Sequence, residues 1–417
     1  MTALVLRGDA RTLPLPDASV DLIVTSPPYW SLRSYTDGGQ HYDGQIGAEQ
    51  TPWDYLDALW ECTQEWIRVL KPEGSLWINL GDKYSTYEGP RTVRAPAGSL
   101  NARLADASQE SARQHTRSAP DAYGVPYKSL MGLPWRYAIG CVDNLGLTLR
   151  AEVIWDKPNG LPESVTDRVR RSHEQWFHLV KQPRYYSAVD EIREPHAPDS
   201  LRRSKLGARS MKARNASIDG GATAYAGGNP LGALPGSVWE IATQPLRVPV
   251  ELQADHFAAF PMEWPRRLIL GWSPHGICIE CGDGRHPVRD SSEKVLHRPS
   301  GAANLGKAMA EDASRTRRSA NNVLSVHKIT GYACACPAPD APTRPAVVLD
   351  PFGGTGTTAL IASTLGRRGV TVDRSADYCR IAQWRTTDPG ERARALGLPK
   401  PPLPVTGQDS LFEELVT

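Results

Sequence analysis

The sequence predicts an α/β fold, a mainly parallel sheet covered by helices on both faces. Short apolar, β-branched stretches alternate with segments of helical period, which places helices in the crossovers between parallel strands. Residues 3–6 and 20–25 read as strands. Residues 53–70 read as a helix, because Trp53, Leu56, Leu59, Trp60, Thr63, Ile67 and Leu70 fall on one face. Lys71-Pro72-Glu73-Gly74 then stops the helix, and 75–80 is the next strand. A helix over 134–145 and strands over 149–155 and 175–180 continue the alternation. A final strand–turn–helix–strand unit covers 346–350, 357–365 and 369–373. No internal repeat interrupts the pattern.

Three polar stretches break this rhythm, at 89–123, 196–236 and 282–322. Loops of that length inside a domain are usually functional or disordered. They divide the chain into a first half of the main domain (1–190), a basic and glycine-rich segment (191–240), a connecting segment (241–275), a cysteine-bearing insertion (276–345), a second half of the domain (346–398) and a tail (399–417). Of 417 residues, 40% are hydrophobic and 23% charged, the balance of a soluble enzyme; no apolar run is long enough for a membrane span. The first residues lack a secretory pattern, so a cytoplasmic protein is expected. A net charge of +2 decides little, because the cations cluster: Arg202, Arg203 and Lys205 stand together in the second stretch. Such an arm can neutralise phosphates, or can be a solvated surface.

Two segments carry chemistry. Val347-Val348-Leu349-Asp350-Pro351-Phe352-Gly353-Gly354-Thr355-Gly356-Thr357 is a strand, a glycine turn and a helix start. Glycines allow positive φ and close ligand approach, and the helix start offers free N–H groups to an anion. Asp373 closes the next strand, where a carboxylate can accept from ribose hydroxyls. A Walker loop would need Gly-Lys-Ser/Thr, and a dinucleotide turn would need G-x-G-x-x-G; neither is present. S-adenosylmethionine, with a ribose and a carboxylate but no phosphate, remains, beside a purely structural turn.

The other segment is Thr25-Ser26-Pro27-Pro28-Tyr29-Trp30, at the end of the second strand. Two prolines hold the chain extended and leave the Ser26 hydroxyl and the Pro27 carbonyl as acceptors. An exocyclic base amine is a poor nucleophile, since its lone pair is delocalised into the ring. Two acceptors on its protons can turn that lone pair toward a methyl sulfonium, while Tyr29 and Trp30 offer faces for stacking. Such a base must leave the duplex first. A rigid surface turn is the bland alternative.

Together the two segments resemble the β group of DNA amino-methyltransferases, in which the Ser-Pro-Pro-Tyr motif precedes an F-x-G-x-G cofactor motif. The resemblance implies a seven-stranded, mostly parallel S-adenosylmethionine-dependent methyltransferase fold with one antiparallel strand. It assigns catalysis to Ser26, Pro27, Pro28 and Tyr29. Cofactor binding falls to Asp9, Phe260, Asp350, Phe352, Gly353, Gly354, Gly356, Thr357 and Asp373. In this pattern Gly8-Asp9 faces the cofactor adenine, and 256–261 closes over its methionine part. Residues 162–168 and 171–174 stand beside the target base, giving Arg168 and His173 as DNA contacts. Asn79-Leu80-Gly81-Asp82 is similar to the family's central strand region. Serine in the first motif position points to N4 of cytosine, with N6 of adenine as the alternative. Carbon-5 methylation would need a cysteine nucleophile after proline, and Cys336-Pro337 has the reverse order. A non-catalytic DNA- or zinc-binding module on the same fold would keep the frame without the transfer; an RNA or protein methyltransferase would differ in substrate.

Seven cysteines, an odd number, argue against a disulfide framework. Cys278-x-x-Cys281 and Cys334-x-Cys336 bracket the third polar stretch, and four thiolates suit a structural zinc ion. His275, His286 and His297 are substitutes if one cysteine is not a ligand. In the tail, Gln408-Asp409-Ser410-Leu411-Phe412 resembles the short peptides that dock on the bacterial sliding clamp; a small terminal helix is the alternative.

Overall fold

A computed structural model gives the protein's architecture for residues 3–32, 35–37, 40–41, 43–85, 125–197, 229, 231–252, 259–296, 323–338 and 340–401. In chain order the strands of the main sheet are β1 (Leu4–Arg7), β2 (Val20–Thr25), β5 (Leu70–Leu80), β6 (Thr148–Asp156), β7 (His173–Val180), β8 (Val238–Glu240), β13 (Val347–Asp350) and β14 (Arg368–Asp373). Two-residue strands β3 (Thr36–Asp37) and β4 (Gln40–His41) form a hairpin, and β9 (Ile277–Cys278) pairs with β12 (Thr343–Arg344). The long strands β10 (His286–Leu296) and β11 (Val323–Ala333) make a separate antiparallel ribbon. Helices are α1 (Pro52–Val69), α2 (Leu133–Asp143), α3 (Glu263–Trp272), α4 (Thr357–Thr364), α5 (Ala376–Thr387) and α6 (Pro389–Ala395).

The sheet runs β1-β14-β13-β2-β5-β7-β6-β8. Only β7 is reversed, pairing antiparallel with both β5 and β6. The expected count of seven strands is therefore corrected to eight. The addition is β8, whose Val238, Trp239 and Glu240 lie beside Ile154, Trp155 and Asp156. Three residues that follow a long polar stretch carry too little periodicity to read as a strand.

The burial pattern explains the layers. All six residues of β2 are buried, as a central strand covered on both faces requires. On one face α1 presents Tyr55, Leu56, Leu59, Trp66 and Val69, and α2 adds Leu133, Tyr137 and Cys141. The Thr51 hydroxyl accepts from the Asp54 N–H at 3.1 Å and caps α1, an interaction worth about 1 kcal/mol. On the other face stand Trp264, Leu268 and Ile269 of α3 with Leu360 and Ile361 of α4. There Trp264 stacks between Trp176 and Trp239, at ring distances of 4.8 and 4.9 Å.

The boundary at 70–75 differs from expectation. Leu70 turns extended at once and pairs with Val20, and the register shifts before Ser75 meets Leu22. The Lys71–Gly74 signal is thus an irregularity within β5 rather than a loop. Buried Lys71 is tied to buried Asp21, which also accepts from the Val347 N–H, so this kink is locked to the start of β13. The polar stretch 282–322 is likewise not featureless, since β10 and β11 occupy its first part and the residues after it. Among the described residues no helix is long and apolar enough to cross a membrane. The stretch 89–123, Arg202, Arg203 and Lys205, His297, and the peptide Gln408–Phe412 lie outside the described residues.

Candidate active site

A cleft opens at the carboxyl ends of β1, β2, β13 and β14. Its wall takes Gly8, Asp9 and Arg11 from the β1 end, Ser26 and Pro28 from the β2 end, and Phe352, Gly353, Gly354 and Thr357 from the turn after β13. Asp373, Arg374 and Tyr378 close the β14 side, Tyr35 meets Tyr378 edge-on at 6.1 Å, and Phe260 also lines the cleft. Distant stretches of sequence meet here because parallel strands deliver all their carboxyl ends to one edge.

On the side of the glycine turn, geometry explains each residue. Gly354 has φ +47° and Gly356 φ +75°, conformations that disfavour side chains. A Cβ on Gly353 would stand 1.4 Å from Thr371 Oγ1, so the turn lies flat on β14. Gly354 N–H donates to Asp373 Oδ2 at 2.8 Å and Ser375 N–H to Asp373 Oδ1 at 2.9 Å. Burial still pushes the Asp373 carboxyl up to about 6. Asp9 stands beside this side of the cleft, 3.7 Å from Arg374, and the Arg11 side chain grips it through two bonds at 3.0 and 2.8 Å; that hydrogen bonding holds its carboxyl below the usual range.

Four expected residues stand outside the lining: Pro27 and Tyr29 of the Ser-Pro-Pro-Tyr segment, and two of the glycine turn. Asp350 and Gly356 are not among the residues lining the cleft. Asp350 is buried beneath the turn, accepting from Thr358 Oγ1 at 2.8 Å and the Phe352 N–H at 3.2 Å, and burial raises it to about 7. A Cβ on Gly356 would come within 2.8 Å of the Ala382 Cβ, so this glycine lets α5 approach. Both shape the turn from behind.

On the Ser-Pro-Pro-Tyr side, Asn79 of β5 is the hub. Its Nδ2 donates to the Gln175 carbonyl at 3.0 Å, which aims Oδ1 at the motif. Ser26 Oγ donates to Asn79 Oδ1 at 3.2 Å, and Tyr29 OH lies 2.8 Å from the same oxygen. With its proton engaged there, Ser26 presents only lone pairs elsewhere. Tyr29 OH also lies 2.8 Å from Glu174 Oε2, and the other oxygen of Glu174 is bound by Lys157. Burial, and then the Glu174 charge, raise the Tyr29 phenol well above its usual value, so it remains a donor. Gly81 makes room for the ring, since a Cβ there would sit 2.6 Å from Tyr29 Cε2. The Pro28 carbonyl is occupied by Tyr55 OH at 2.9 Å.

Asn79, Glu174 and Lys157 were not singled out as site residues from the sequence. They come from β5, β7 and the residue just after β6, and no spacing links them to Ser26. Arg168 sits over the Tyr84 ring at 3.8 Å and bonds Glu163, and His173 is exposed at the start of β7. Away from the cleft, the sulfurs of Cys278, Cys281, Cys334 and Cys336 all lie within 4.8 Å of one another, a set that can hold a metal ion. His275 and His286 instead stack on Tyr332 and Tyr186.

The mostly parallel sheet with one reversed strand, and a cleft at its carboxyl edge, define an S-adenosylmethionine-dependent methyltransferase fold. Residues 20–279 and 343–384 match the model of the DNA methylase family, and the chain belongs to that family. Its Ser-Pro-Pro-Tyr segment precedes the glycine turn, as in the β group of amino-methyltransferases. Type II methyltransferase M.SmaI of Serratia marcescens is 34% identical over 274 residues, 65% of this chain and 76% of its own length. Type II methyltransferase M.Cfr9I of Citrobacter freundii is 33% identical over 276 residues, 66% of this chain and 74% of its own. Among solved structures, the PvuII DNA methyltransferase (cytosine-N4-specific) is similar over 95% of this chain and 94% of that chain, at 16% identity and a TM-score of 0.47.

Proposed function

We propose that this enzyme methylates the exocyclic N4 amine of cytosine within a specific duplex DNA site, using S-adenosylmethionine and a flipped-out target base. The observation that carries the reading is the shared cleft: Ser26 and Pro28 face the same space as the glycine turn, Asp9 and Asp373.

The residues present fit the methyl donor. Asp373 offers a buried carboxylate to a ribose diol, and the glycine turn brings backbone close to a ligand. Phe352, Tyr378 and Phe260 supply flat apolar surface. Bound there, S-adenosylmethionine would supply an electrophilic methyl group on a positively charged sulfur.

The chain's own residues do the rest by positioning. Ser26 Oγ, its proton held by Asn79, accepts one amine hydrogen, and the Pro27 carbonyl accepts the other. Those two bonds turn the nitrogen lone pair toward the methyl carbon. Tyr29, its hydroxyl fixed by Asn79 and Glu174, stacks on the base. Arg168 and His173 border the entry for DNA. The enzyme acts in the cytoplasm, as the modification half of a restriction–modification pair.

Incubation with duplex DNA and radiolabelled donor, followed by nucleoside analysis, tests this. N4-methylcytosine is the expected product. N6-methyladenine would overturn the base assignment, and donor binding without transfer to any DNA would reduce the chain to a binding module.

A further inference from the structure

Residues 280–342, which the family match passes over, leave and rejoin the core beside the sulfurs of Cys278, Cys281, Cys334 and Cys336. We propose that these four residues bind one zinc ion that fastens the inserted β10–β11 ribbon to the methyltransferase core, at the end of the sheet opposite the cleft.

The position follows from topology. Thr343 and Arg344 pair with Cys278 and Ile277 just before β13 begins, whereas the cleft lies where β13 ends. The first pair is a tight turn: Cys278 N–H donates to the Asp283 carbonyl at 2.9 Å and Gly282 N–H to the Cys278 carbonyl at 3.0 Å, with Gly282 at φ +78°. The second pair follows the last rung of the ribbon, His286 beside Ala333.

Proximity alone would also suit incidental thiols, so the backbone around the sulfurs matters more. N–H groups of Glu280 and Cys281 point at Cys278 Sγ, that of Asp283 at Cys281 Sγ, and that of Ala338 lies 3.4 Å from Cys336 Sγ. Neutral thiols are weak acceptors, whereas N–H groups converging on sulfur stabilise negative charge there. Four thiolates within 4.8 Å would repel one another without a cation between them. In a tetrahedron with zinc–sulfur bonds of about 2.3 Å the sulfurs stand about 3.8 Å apart, a small contraction from this arrangement. Four protein ligands leave no open position, so the ion is structural rather than catalytic.

The need for a clamp is visible in the ribbon's footing. It rests on two ring stacks, Tyr332 on His275 and Tyr186 on His286, on Tyr332 OH donating to Glu191 at 2.7 Å, and on the Arg289–Asp190 pair. An isolated two-stranded ribbon is marginal in water.

Metal analysis of the purified, untagged full chain should find one zinc per chain, released in step with titration of thiols by a mercurial reagent. Cobalt exchanged into the site should show the thiolate charge-transfer and visible bands of a tetrahedral tetrathiolate. Cys281→Ser and Cys336→Ser should each lose most of the zinc. Chelator treatment of the wild type should hasten proteolysis within 286–333 while S-adenosylmethionine affinity stays constant. Clearly substoichiometric zinc with four freely titrating thiols, a disulfide among them, or iron in place of zinc would overturn the proposal. Those readouts are independent of which base is methylated.

Discussion

On the donor side of the cleft, the turn after β13 is held mostly by groups close to it in sequence: Gly354 and Ser375 on Asp373, Phe352 and Thr358 on Asp350. On the acceptor side, Ser26 and Tyr29 lean on Asn79 and Glu174, and Glu174 on Lys157, so β2, β5, β7 and the end of β6 meet in one network. The first arrangement binds through backbone shape and tolerates few added atoms. The second aims side chains through a relay and should tolerate small substitutions while losing aim. Binding and chemistry are thus separable by mutation.

Ser26→Ala should give the largest effect. It removes the acceptor proposed to orient the amine, and a loss of about 10²–10³-fold in single-turnover methyl transfer is expected, as for other oriented polar contacts to a reacting group. Donor affinity measured by calorimetry should not change. Near-normal transfer would place the acceptor elsewhere and erase the contrast.

Gly353→Ala should break the other half. The added methyl overlaps Thr371 Oγ1, and forcing the turn away from β14 should cost about 1–3 kcal/mol of stability. Donor affinity should fall by at least tenfold. Adding Thr371→Ala, which removes the overlapping oxygen, should restore part of both. A lack of rescue would mean that the turn fails for another reason.

Glu174→Gln and Tyr29→Phe sharpen the relay. Each weakens one charge-assisted bond, worth about 1.5–3 kcal/mol at most. Turnover should fall by about tenfold in each, and by little more in the double variant, because both break the same link. Multiplying effects in that cycle would show that Glu174 acts separately from Tyr29.

The smallest effect is a pH dependence. Asp350 has its folded value raised to about 7 by burial, so the folded state binds this proton more tightly than the unfolded chain does. Its stabilising contribution is full below the ordinary carboxylate range and is lost as pH rises through about 7. Urea midpoints of the donor-free protein should therefore decline over that window, and Asp350→Asn should flatten the decline. A wild-type profile that rises with pH there would reverse the sign of the burial argument.

What could be read in the sequence follows the same division. The donor turn is contiguous, so Phe352 to Thr357 and Asp373 could be recognised without a fold. Ser26 and Tyr29 were equally plain, being adjacent to two prolines. Their supports were not, since Asn79 and Glu174 become neighbours only when β5 and β7 pair, with Asn79 beside Trp176. Helix α1 and strand β2 announced themselves by period and apolar run. Helix α3 did not: its hydrophobics include three residues, Trp264, Pro265 and Trp272, that favour no single element, and it follows a stretch without rhythm. The placing of Asp350 behind the turn rather than in the cleft was also hidden, because a motif fixes neighbours along the chain and not which way each side chain points.

The order of strands in the sheet also sets an order in time. β2 lies between β5 and β13, and β13 is made more than three hundred residues after β2. During synthesis at about 5–20 residues per second, one edge of β2 waits for its neighbour for roughly 16–65 seconds. Through that interval Leu22 and Ile23, both fully buried in the finished enzyme, offer an unpaired apolar rim to any passing strand. The glycine turn after β13 likewise emerges long after the Ser-Pro-Pro-Tyr segment, so the two walls of the cleft are completed in that order.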